Sequence, residues 1–170
     1  MKIYTKSGDE GKTFSPGEGK VDKYHCSVDA QGELDELNAW LGYLTWNWPQ
    51  NEILEHAQDI LMHIGAQLAQ NEQRVFELDI TELEEAIDSM ESDLEPLKNF
   101  ILPSYPAEGH IARTVCRRAE RQVSLWRDKS DKPEKFNLVI PYLNRLSDYL
   151  FVWCRTMSKR DVIWKGEQRS

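Results

Sequence analysis

Glycines and lysines cluster near the start of the chain, in the stretch TKSGDEGKT at residues 5–13. Gly8 and Gly11 would let the backbone approach a ligand closely, and successive N–H groups of such a loop can cradle an anion. Four lysines lie in or near the stretch: Lys6, Lys12, Lys20 and Lys23. These residue types suit a phosphate site, and the alternative interpretation is a solvated N-terminal turn.

The same stretch ends in Gly-Lys-Thr, as a nucleotide-binding P-loop does, but the match fails twice. A P-loop has a further glycine five positions before the second one, and that position is Lys6 here. A helix must also follow directly, because the phosphates sit on its first N–H groups. Pro16, Gly17 and Gly19 follow instead and predict a turn. A P-loop is therefore excluded.

A second basic group lies in the segment HIARTVCRRAERQV. Arg113, Arg117 and Arg121 are four residues apart and would form one ridge on a helix. A guanidinium group suits polyphosphate because its planar fork bonds two oxygens at once. The alternative is a surface helix whose arginines pair with an acidic third helix, which carries five acids between residues 82 and 91.

Polar residues beside apolar stripes suggest further members of a shared site. Asn144 and Asp148 lie one turn apart with Arg155 further along, and Asp35 and Asn38 lie one turn apart near the start of the chain. Buried carboxylates and amides need partners. The arginine ridge is the obvious partner, within one chain or across an oligomer interface. An anionic ligand between helices is the hypothesis that follows.

Helical periodicity predicts the elements that position these residues. Apolar residues at steps of three and four predict helices over 33–44, 52–70, 80–94, 110–127 and 136–160. Thr81 is a plausible N-cap for the third helix, and Pro141 should kink or delay the fifth. The strand signal is limited to Lys2–Tyr4. The prediction is an all-α fold, an up-and-down antiparallel bundle of five helices.

Length and composition narrow the class of protein. We predict one domain over residues 1–170, divided into a loop at 1–28 and a helical bundle at 29–165. A net charge of −8 argues against a nucleic-acid partner. No apolar run reaches the roughly 18 residues of a membrane helix, and the N-terminus lacks a signal-peptide core. Three scattered cysteines, with no metal-ligand spacing to histidine, suggest reduced thiols in the cytoplasm and no protein-bound metal.

Five blocks in order resemble one family, the PduO-type ATP:cob(I)alamin adenosyltransferases, or corrinoid adenosyltransferases. KIYTKSGDEGKT resembles its N-terminal signature Y-T-[KR]-x-G-D-x-G-x-T, and GELDELNAWLG resembles its G-x-x-D-E-L-N segment. FILP, HIARTVCRRAER and YLNRLSDYLF are similar to three later blocks. The resemblance spans nearly the whole chain.

The resemblance implies a ferritin-like, cobalamin adenosyltransferase-like bundle with an N-terminal nucleotide-binding loop. It also implies an enzyme that transfers the 5′-deoxyadenosyl group of ATP to cob(I)alamin and releases triphosphate, with Mg²⁺ helping to bind ATP. The family forms homotrimers with active sites between subunits. A cobalamin reductase and an adenosylcobalamin-dependent enzyme are the protein partners that this chemistry suggests.

The resemblance also assigns residues by motif. One set would wrap the triphosphate from one subunit: Thr5, Lys6, Ser7, Gly8, Asp9, Gly11 and Thr13, with Lys20 and Lys23 adding charge. A second set would lie on the neighbouring subunit, where Arg113 and Asn144 hold ATP and Glu120 and Arg121 lie beside the nucleotide. Asp35 and Arg117 would form an intersubunit salt bridge. Phe100 would close the lower face of the corrin.

The chain departs from the family pattern near the corrinoid. The loop at 103–109 is about three residues shorter than the family's, and Gln31 replaces an aromatic residue. The alternative function is therefore a nucleotide- and corrinoid-binding homologue that acts as a carrier or sensor without efficient transfer. A purely structural trimeric bundle is a third option.

Overall fold

The computed structural model of the protein describes residues 2–70 and 72–166. These residues form five α-helices, numbered in chain order: α1 Cys26–Asn47, α2 Glu52–Gln70, α3 Glu77–Glu91, α4 Ala107–Lys129 and α5 Val139–Met157. A short 3₁₀ helix, Pro133–Phe136, precedes α5. The predicted all-α helical bundle is confirmed. The prediction that residues 1–170 form one domain stays a prediction.

The helices pack around one apolar core. α1 contacts α2 and α4, α4 also contacts α5, and α5 contacts α3. Leu37, Leu41 and Leu44 of α1 are fully buried, as their spacing predicts, and each contributes about 2 kcal/mol by leaving water. No helix in the described part of the chain is long and apolar enough to span a bilayer.

Four of the five helices, α1, α3, α4 and α5, begin at other residues than the periodicity predicts. α1 starts at Cys26, where the imidazole Nδ1 of His25 caps the helix by accepting from the Ser27 N–H at 3.3 Å. α5 starts only at Val139, later than residue 136, and this agrees with the delay predicted from Pro141. Pro141 lies in its first turn, where helix N–H groups have no partner within the helix and a missing one costs nothing.

The N-cap predicted for α3 is also wrong. α3 begins at Glu77, and the Asp79 carboxylate accepts from the Phe76 N–H at 2.7 Å. Thr81 lies one turn inside the helix and donates its hydroxyl proton to the Glu77 carbonyl at 3.0 Å. α3 ends at Glu91, before the predicted residue 94.

The N-terminal segment forms a β-hairpin rather than a strand at Lys2–Tyr4. Strand β1, Lys12–Ser15, pairs in antiparallel fashion with β2, Gly19–Asp22. The expected turn between them is present, and Gly17 and Gly19 adopt positive φ there. Period-2 patterning cannot reveal strands this short, because four residues contain only two full periods.

The hairpin is docked on the bundle. The Trp126 indole N–H of α4 donates to the Glu18 carboxylate at 2.8 Å. The Ser15 hydroxyl lies 2.8 Å from that of Ser27 in α1, and both side chains are buried. These bonds hold the N-terminal loop against α1 and α4.

A second two-stranded sheet lies elsewhere on the bundle. Strand β3, Ile101–Leu102, in the long α3–α4 connection pairs in antiparallel fashion with β4, Val162–Ile163, which follows α5. This pairing joins the segment that carries Phe100 to the C-terminal segment of the described chain.

A pair of glycine substitutions tests the docking of the hairpin. Gly17 has φ +83°, and a Cβ there would lie 2.9 Å from the Ala69 carbonyl oxygen of α2, whereas Gly19 has φ +84° with nothing within 4 Å of its Cβ position. Either alanine strains the backbone by about 1–2 kcal/mol, but only Gly17→Ala should push the hairpin off α2. Tryptic cleavage at Lys20 should be about tenfold faster in Gly17→Ala than in Gly19→Ala, since cleavage tracks the open population. Equal rates would contradict the close approach.

Candidate active site

The glycine–lysine loop before β1 consists of consecutive tight turns. The Asp9 N–H donates to the Lys6 carbonyl at 3.3 Å, and the Gly11 N–H donates to the Gly8 carbonyl at 3.2 Å. Lys6 and Gly11 have positive φ, 61° and 79°, a conformation that is uncommon for a residue with a Cβ. The loop is exposed over most of its length, so its polar groups can meet a ligand.

Hydroxyl groups line the same segment. The side-chain oxygens of Thr5 and Ser7 lie 2.8 Å apart, and both residues are exposed. Thr13 is half-buried in β1 opposite Val21. The Thr5 and Ser7 hydroxyls therefore lie together, while Thr13 lies in the strand that follows the loop.

The three other lysines of the predicted set differ in their positions relative to the loop. The Lys23 ammonium nitrogen lies 3.2 Å from the point that a Cβ on Gly8 would occupy, so it adds positive charge directly beside the loop. Lys12 forms an ion pair with Asp22 at 3.2 Å. Lys20 lies further along β2, opposite Phe14, and is the least directly placed of the predicted set.

The arginine ridge predicted on α4 is present. Arg113, Arg117 and Arg121 follow one another along the helix, and the Arg121 guanidinium donates to the Arg117 carbonyl at 2.9 Å. Within residues 2–70 and 72–166, none of the three forms an ion pair with an acidic side chain. The alternative of pairing with α3 is wrong, because Glu84 of α3 pairs with Arg145 of α5 at 2.7 Å.

Arg118 differs from the ridge although it is adjacent in sequence. Its Nε donates to the Glu33 carboxylate at 2.5 Å, and its terminal nitrogen donates to Glu36. Both hydrogen bonds raise the pKa of Arg118. The guanidinium is thus occupied within the chain by two acids of α1, whereas the ridge arginines are available to a ligand or another subunit.

Arg113 is the most enclosed arginine of the ridge. Its guanidinium lies 5.9 Å from the centre of the Phe151 ring, and its buried Nε has no hydrogen-bond partner among the described residues. Burial and, secondarily, Arg117 lower the pKa of Arg113, but a guanidinium remains protonated in proteins. An enclosed cation with a free donor is suited to bind an anion.

α4 and α5 bring the other predicted nucleotide residues to one level of the bundle. The Cys116 thiol donates to the Leu143 carbonyl at 3.2 Å, so their sequence neighbours Arg117 and Asn144 lie at similar height on adjacent helices. Asn144 is half-buried, as is Glu120 one turn along α4. An amide, an acid and several guanidinium groups therefore share the region.

Asp35 lies on a different surface from the arginine ridge. It is exposed rather than buried and lines a groove of about 340 Å³ between α1 and α2, beside Pro16 of the hairpin. Gln31 lines the same groove, whereas Arg117 lines a separate hollow on α4. Asp35 and Arg117 form no ion pair within the described chain, so one chain alone does not bring this predicted pair together.

Asn38 has a partner other than the arginine ridge. The Gln58 side-chain amide of α2 donates to both the carbonyl and the side-chain oxygen of Asn38, each at 3.2 Å. The predicted pairing of this amide with arginine is wrong, because the helix next to α1 on that side is α2.

Phe100 lies outside the core, immediately before β3. It is 80% exposed, and its ring meets that of Trp164 edge to face with centres 6.4 Å apart. The Trp164 N–H also donates to the Phe100 carbonyl at 2.8 Å. Leu102 and Ile163 are exposed beside them, so this part of the surface is apolar. Sequence reasoning missed Trp164, because nothing in the linear pattern shows that β4 returns to β3.

Arg155 does not belong to the polar edge predicted for α5. It is buried, its terminal nitrogen donates to Asp161 at 2.8 Å, and the same nitrogen donates to the Glu95 carbonyl at 2.8 Å. Asp148 remains exposed near Arg145. Helical spacing predicts Arg155 near Asn144, but its partners lie in the α3–α4 connection and in the segment after α5.

The thiols are unsuited to nucleophilic chemistry. All three cysteines are free and buried, and burial raises the pKa of Cys116 and raises that of Cys154 to about 12. A thiol is a poor nucleophile while protonated. The part of the chain that the structure describes also contains no group of three or more histidine, cysteine, aspartate or glutamate side chains able to hold a metal ion.

Comparison with known proteins identifies the family. The family model for cobalamin adenosyltransferase matches residues 3–157. A corrinoid adenosyltransferase of Bacillus subtilis is 35% identical, with 96% of this chain and 90% of that protein covered. One from Citrobacter freundii is 37% identical, with 91% and 93% covered. This chain belongs to the cobalamin adenosyltransferase family.

Solved structures agree with that assignment. A variant of the PduO-type ATP:corrinoid adenosyltransferase of Lactobacillus reuteri, complexed with cobalamin and ATP, matches with a TM-score of 0.86 at 33% identity. The match covers 97% of this chain and all of that chain. A second variant, complexed with ATP, matches with a TM-score of 0.84. The fold of this chain is therefore that of the PduO-type enzymes.

Proposed function

We propose that this protein is an ATP:corrinoid adenosyltransferase, which transfers the 5′-deoxyadenosyl group of ATP to cob(I)alamin and releases triphosphate. The observation that carries the proposal is the family match over residues 3–157, since it spans the N-terminal loop and the arginine ridge together. The relatives named above are corrinoid adenosyltransferases of similar length.

We propose that the N-terminal loop wraps the triphosphate of ATP. Its hydroxyls, tight turns and the adjacent Lys23 ammonium support this role, because loop N–H groups and lysines both favour an anion. The loop residues with this role are Thr5, Lys6, Ser7, Gly8, Asp9, Gly11 and Thr13. Lys20 adds a more distant positive charge.

The α4–α5 region forms the second half of the proposed nucleotide site. Arg113 and Asn144 hold ATP, and Glu120 and Arg121 lie beside it. The enclosed and unpartnered Nε of Arg113 supports the assignment. Guanidinium groups without an acid partner have N–H donors available to bind phosphate, whereas the donors of Arg118 are bonded to acids of α1.

The active site forms between subunits of a homotrimer in this proposal. The groove with Asp35 and the hollow with Arg117 are lined by different helices, so each can meet its counterpart on another copy. An ion pair between the Asp35 carboxylate and the Arg117 of the next copy would fix the two halves of the site. Heterologous contacts of this kind close into a ring when the rotation between copies allows it.

A Mg²⁺ ion would accompany ATP. Magnesium usually keeps several waters and is held by substrate phosphates with one or two carboxylates, rather than by a dedicated protein cage. The acids near the two half-sites, Asp9 on the loop and Glu120 on α4, fit that modest requirement, and a three-residue cluster is not needed. The ion would neutralise part of the triphosphate charge.

The reaction requires alignment and charge stabilisation more than an activated side chain. The cobalt(I) electron pair forms the bond to C5′ while the C5′–O bond breaks, so the cobalt is formally oxidised to cobalt(III) and the triphosphate leaves with the bonding electrons. The protein holds C5′ in line with cobalt, and the loop N–H groups, Lys23 and Arg113 stabilise the negative charge that grows on the leaving group.

Phe100 closes the lower face of the corrin in this proposal. Its exposure on an apolar surface supports the role, because a ring free of core contacts can meet a ligand. Water would be excluded and the lower cobalt ligand removed, and the four-coordinate cob(II)alamin left by that removal is easier to reduce to cob(I)alamin. A cobalamin reductase and an adenosylcobalamin-dependent enzyme are the protein partners that this chemistry requires. The proposed location is the cytoplasm, because free thiols are typical of a reducing compartment.

A direct assay tests the function. The purified protein is mixed with ATP, Mg²⁺ and chemically reduced cob(I)alamin, and the absorption spectrum of adenosylcobalamin is followed together with triphosphate release. Equal amounts of the two products are expected. ATP binding by calorimetry without product would favour the carrier or sensor, and absence of ATP binding would favour a structural bundle.

Two arginine substitutions test whether Arg113 of the ridge binds ATP and Arg118 does not. Arg113→Lys keeps the charge but removes the planar fork, so KM for ATP should rise about tenfold. Arg118→Lys is the matched control, because Arg118 is occupied by Glu33 and Glu36 and KM for ATP should stay within about twofold. Initial rates at saturating cob(I)alamin give both constants. Equal effects of the two substitutions would refute the assignment of Arg113.

A further inference from the structure

The two segments at the ends of α3 and α5 are joined by several bonds. Fifteen residues separate Glu91 from Ala107, and only β3 among them is regular structure. The β3–β4 pairing, the Trp164 N–H to Phe100 carbonyl bond and a 3.4 Å contact between the hydroxyls of Ser104 and Ser158 connect this loop to the segment after α5. The position of the loop therefore depends on the C-terminal segment.

One connection is buried and charged. The Arg155 side chain is 5% exposed, and its Nε and terminal nitrogen reach the two Asp161 oxygens at 3.2 and 2.8 Å. The same terminal nitrogen donates to the Glu95 carbonyl at 2.8 Å. One guanidinium thus binds both the loop before β3 and the segment before β4. A buried guanidinium needs such partners, because leaving it unpaired is strongly unfavourable.

Phe100 has little packing of its own to fix its position. It is 80% exposed, and its aromatic neighbour Trp164 is 55% exposed. Both residues lie next to the β3–β4 pair. The orientation of the Phe100 ring is therefore set through the backbone and not by burial in the core, and the buried contact nearest in sequence to β4 is the one made by Arg155 and Asp161.

We propose that the Arg155–Asp161 ion pair, with its bond to the Glu95 carbonyl, is a positioning device that holds Phe100 where the corrinoid is bound. The inference rests on the proposed function, because it assigns Phe100 to the corrinoid. Arg155 and Asp161 are positioning residues and do not touch the reacting atoms. Loosening the pair should affect the corrinoid half of the reaction and leave the nucleotide half intact.

A double-mutant cycle tests this coupling. Asp161→Asn keeps the side-chain size but removes the charge that faces Arg155, and kcat/KM for cob(I)alamin should fall about tenfold, since a misplaced contact can cost that much or more. In a Phe100→Ala background the same substitution should lower it less than about twofold, because coupled residues are not additive. KM for ATP should be unchanged in both. Equal losses in the two backgrounds, or no loss in either, would overturn the proposal.

The control is the same chemical change, aspartate to asparagine, at Asp93 in the α3–α4 connection. Asp93 is exposed and lies two residues before Glu95, and Arg155 bonds Asp161 and the Glu95 carbonyl instead. Asp93→Asn therefore removes a carboxylate from the same loop as Glu95 but leaves these bonds in place, and kcat/KM should stay within about twofold. If Asp161→Asn fails to fold, Arg155→Lys replaces it, since lysine retains charge but cannot bond two acceptors in a fixed fork. The fall in kcat/KM for cob(I)alamin caused by Arg155→Lys should likewise vanish in the Phe100→Ala background. If the fall persists there, the positioning role of the Arg155–Asp161 pair is contradicted.

Hydrogen exchange separates failure of this inference from failure of the proposed function. If the unaltered protein forms no adenosylcobalamin, the function fails, but exchange of the backbone amides in β3 and at Trp164 still reports on the pair. These amides should exchange at least about tenfold faster in Asp161→Asn than in Asp93→Asn, since the ladder opens locally. Equal exchange in the two variants would overturn the positioning role whatever the activity.

Discussion

The positive charge on α4 that has no acidic partner is the constraint on which the rest of the structure depends. The chain has a net charge of −8, and acids of α1 and α3 occupy Arg118 and Arg145. Arg113, Arg117 and Arg121 form no ion pair in the described part of the chain. Like charges along one ridge repel one another, so a bound anion or an acid from another copy would stabilise this arrangement.

The N-terminal hairpin and the β3–β4 sheet are both held against the helical bundle by specific bonds. Docking bonds from Ser15 and Glu18 hold the glycine–lysine loop on the bundle and keep its turns exposed. At the β3–β4 sheet, the buried Arg155–Asp161 pair holds an apolar surface that includes Phe100. One bundle thus presents a polar, basic surface and an apolar surface, and the proposed function assigns the first to ATP and the second to the corrinoid.

The sequence predicted those features that depend on local periodicity. Leucine spacing identified the buried stripe of α1, and the spacing of four identified the arginine ridge. Features set by particular side-chain contacts were missed. Thr81 has a residue type typical of an N-cap, but the Asp79 carboxylate accepts from the Phe76 N–H instead. Helical spacing groups Arg155 with Asn144 and cannot show that Asp161 folds back to Arg155. The short strands also escaped prediction: β1 and β2 are too short to show a period-2 pattern, and β3 forms only by pairing with β4, which follows α5.

The central claim is that the nucleotide site is assembled from two copies of the chain, and subunit mixing tests it most directly. Lys23→Glu should inactivate the loop half and Arg113→Glu the α4 half, so each variant alone should be inactive. After the two are unfolded and refolded together in equal amounts, about a quarter of the sites should combine an intact loop with an intact α4, because neighbours in the ring are drawn at random. Recovery of about a quarter of the unaltered adenosylcobalamin formation is predicted, and no recovery despite mixed oligomers would contradict the account.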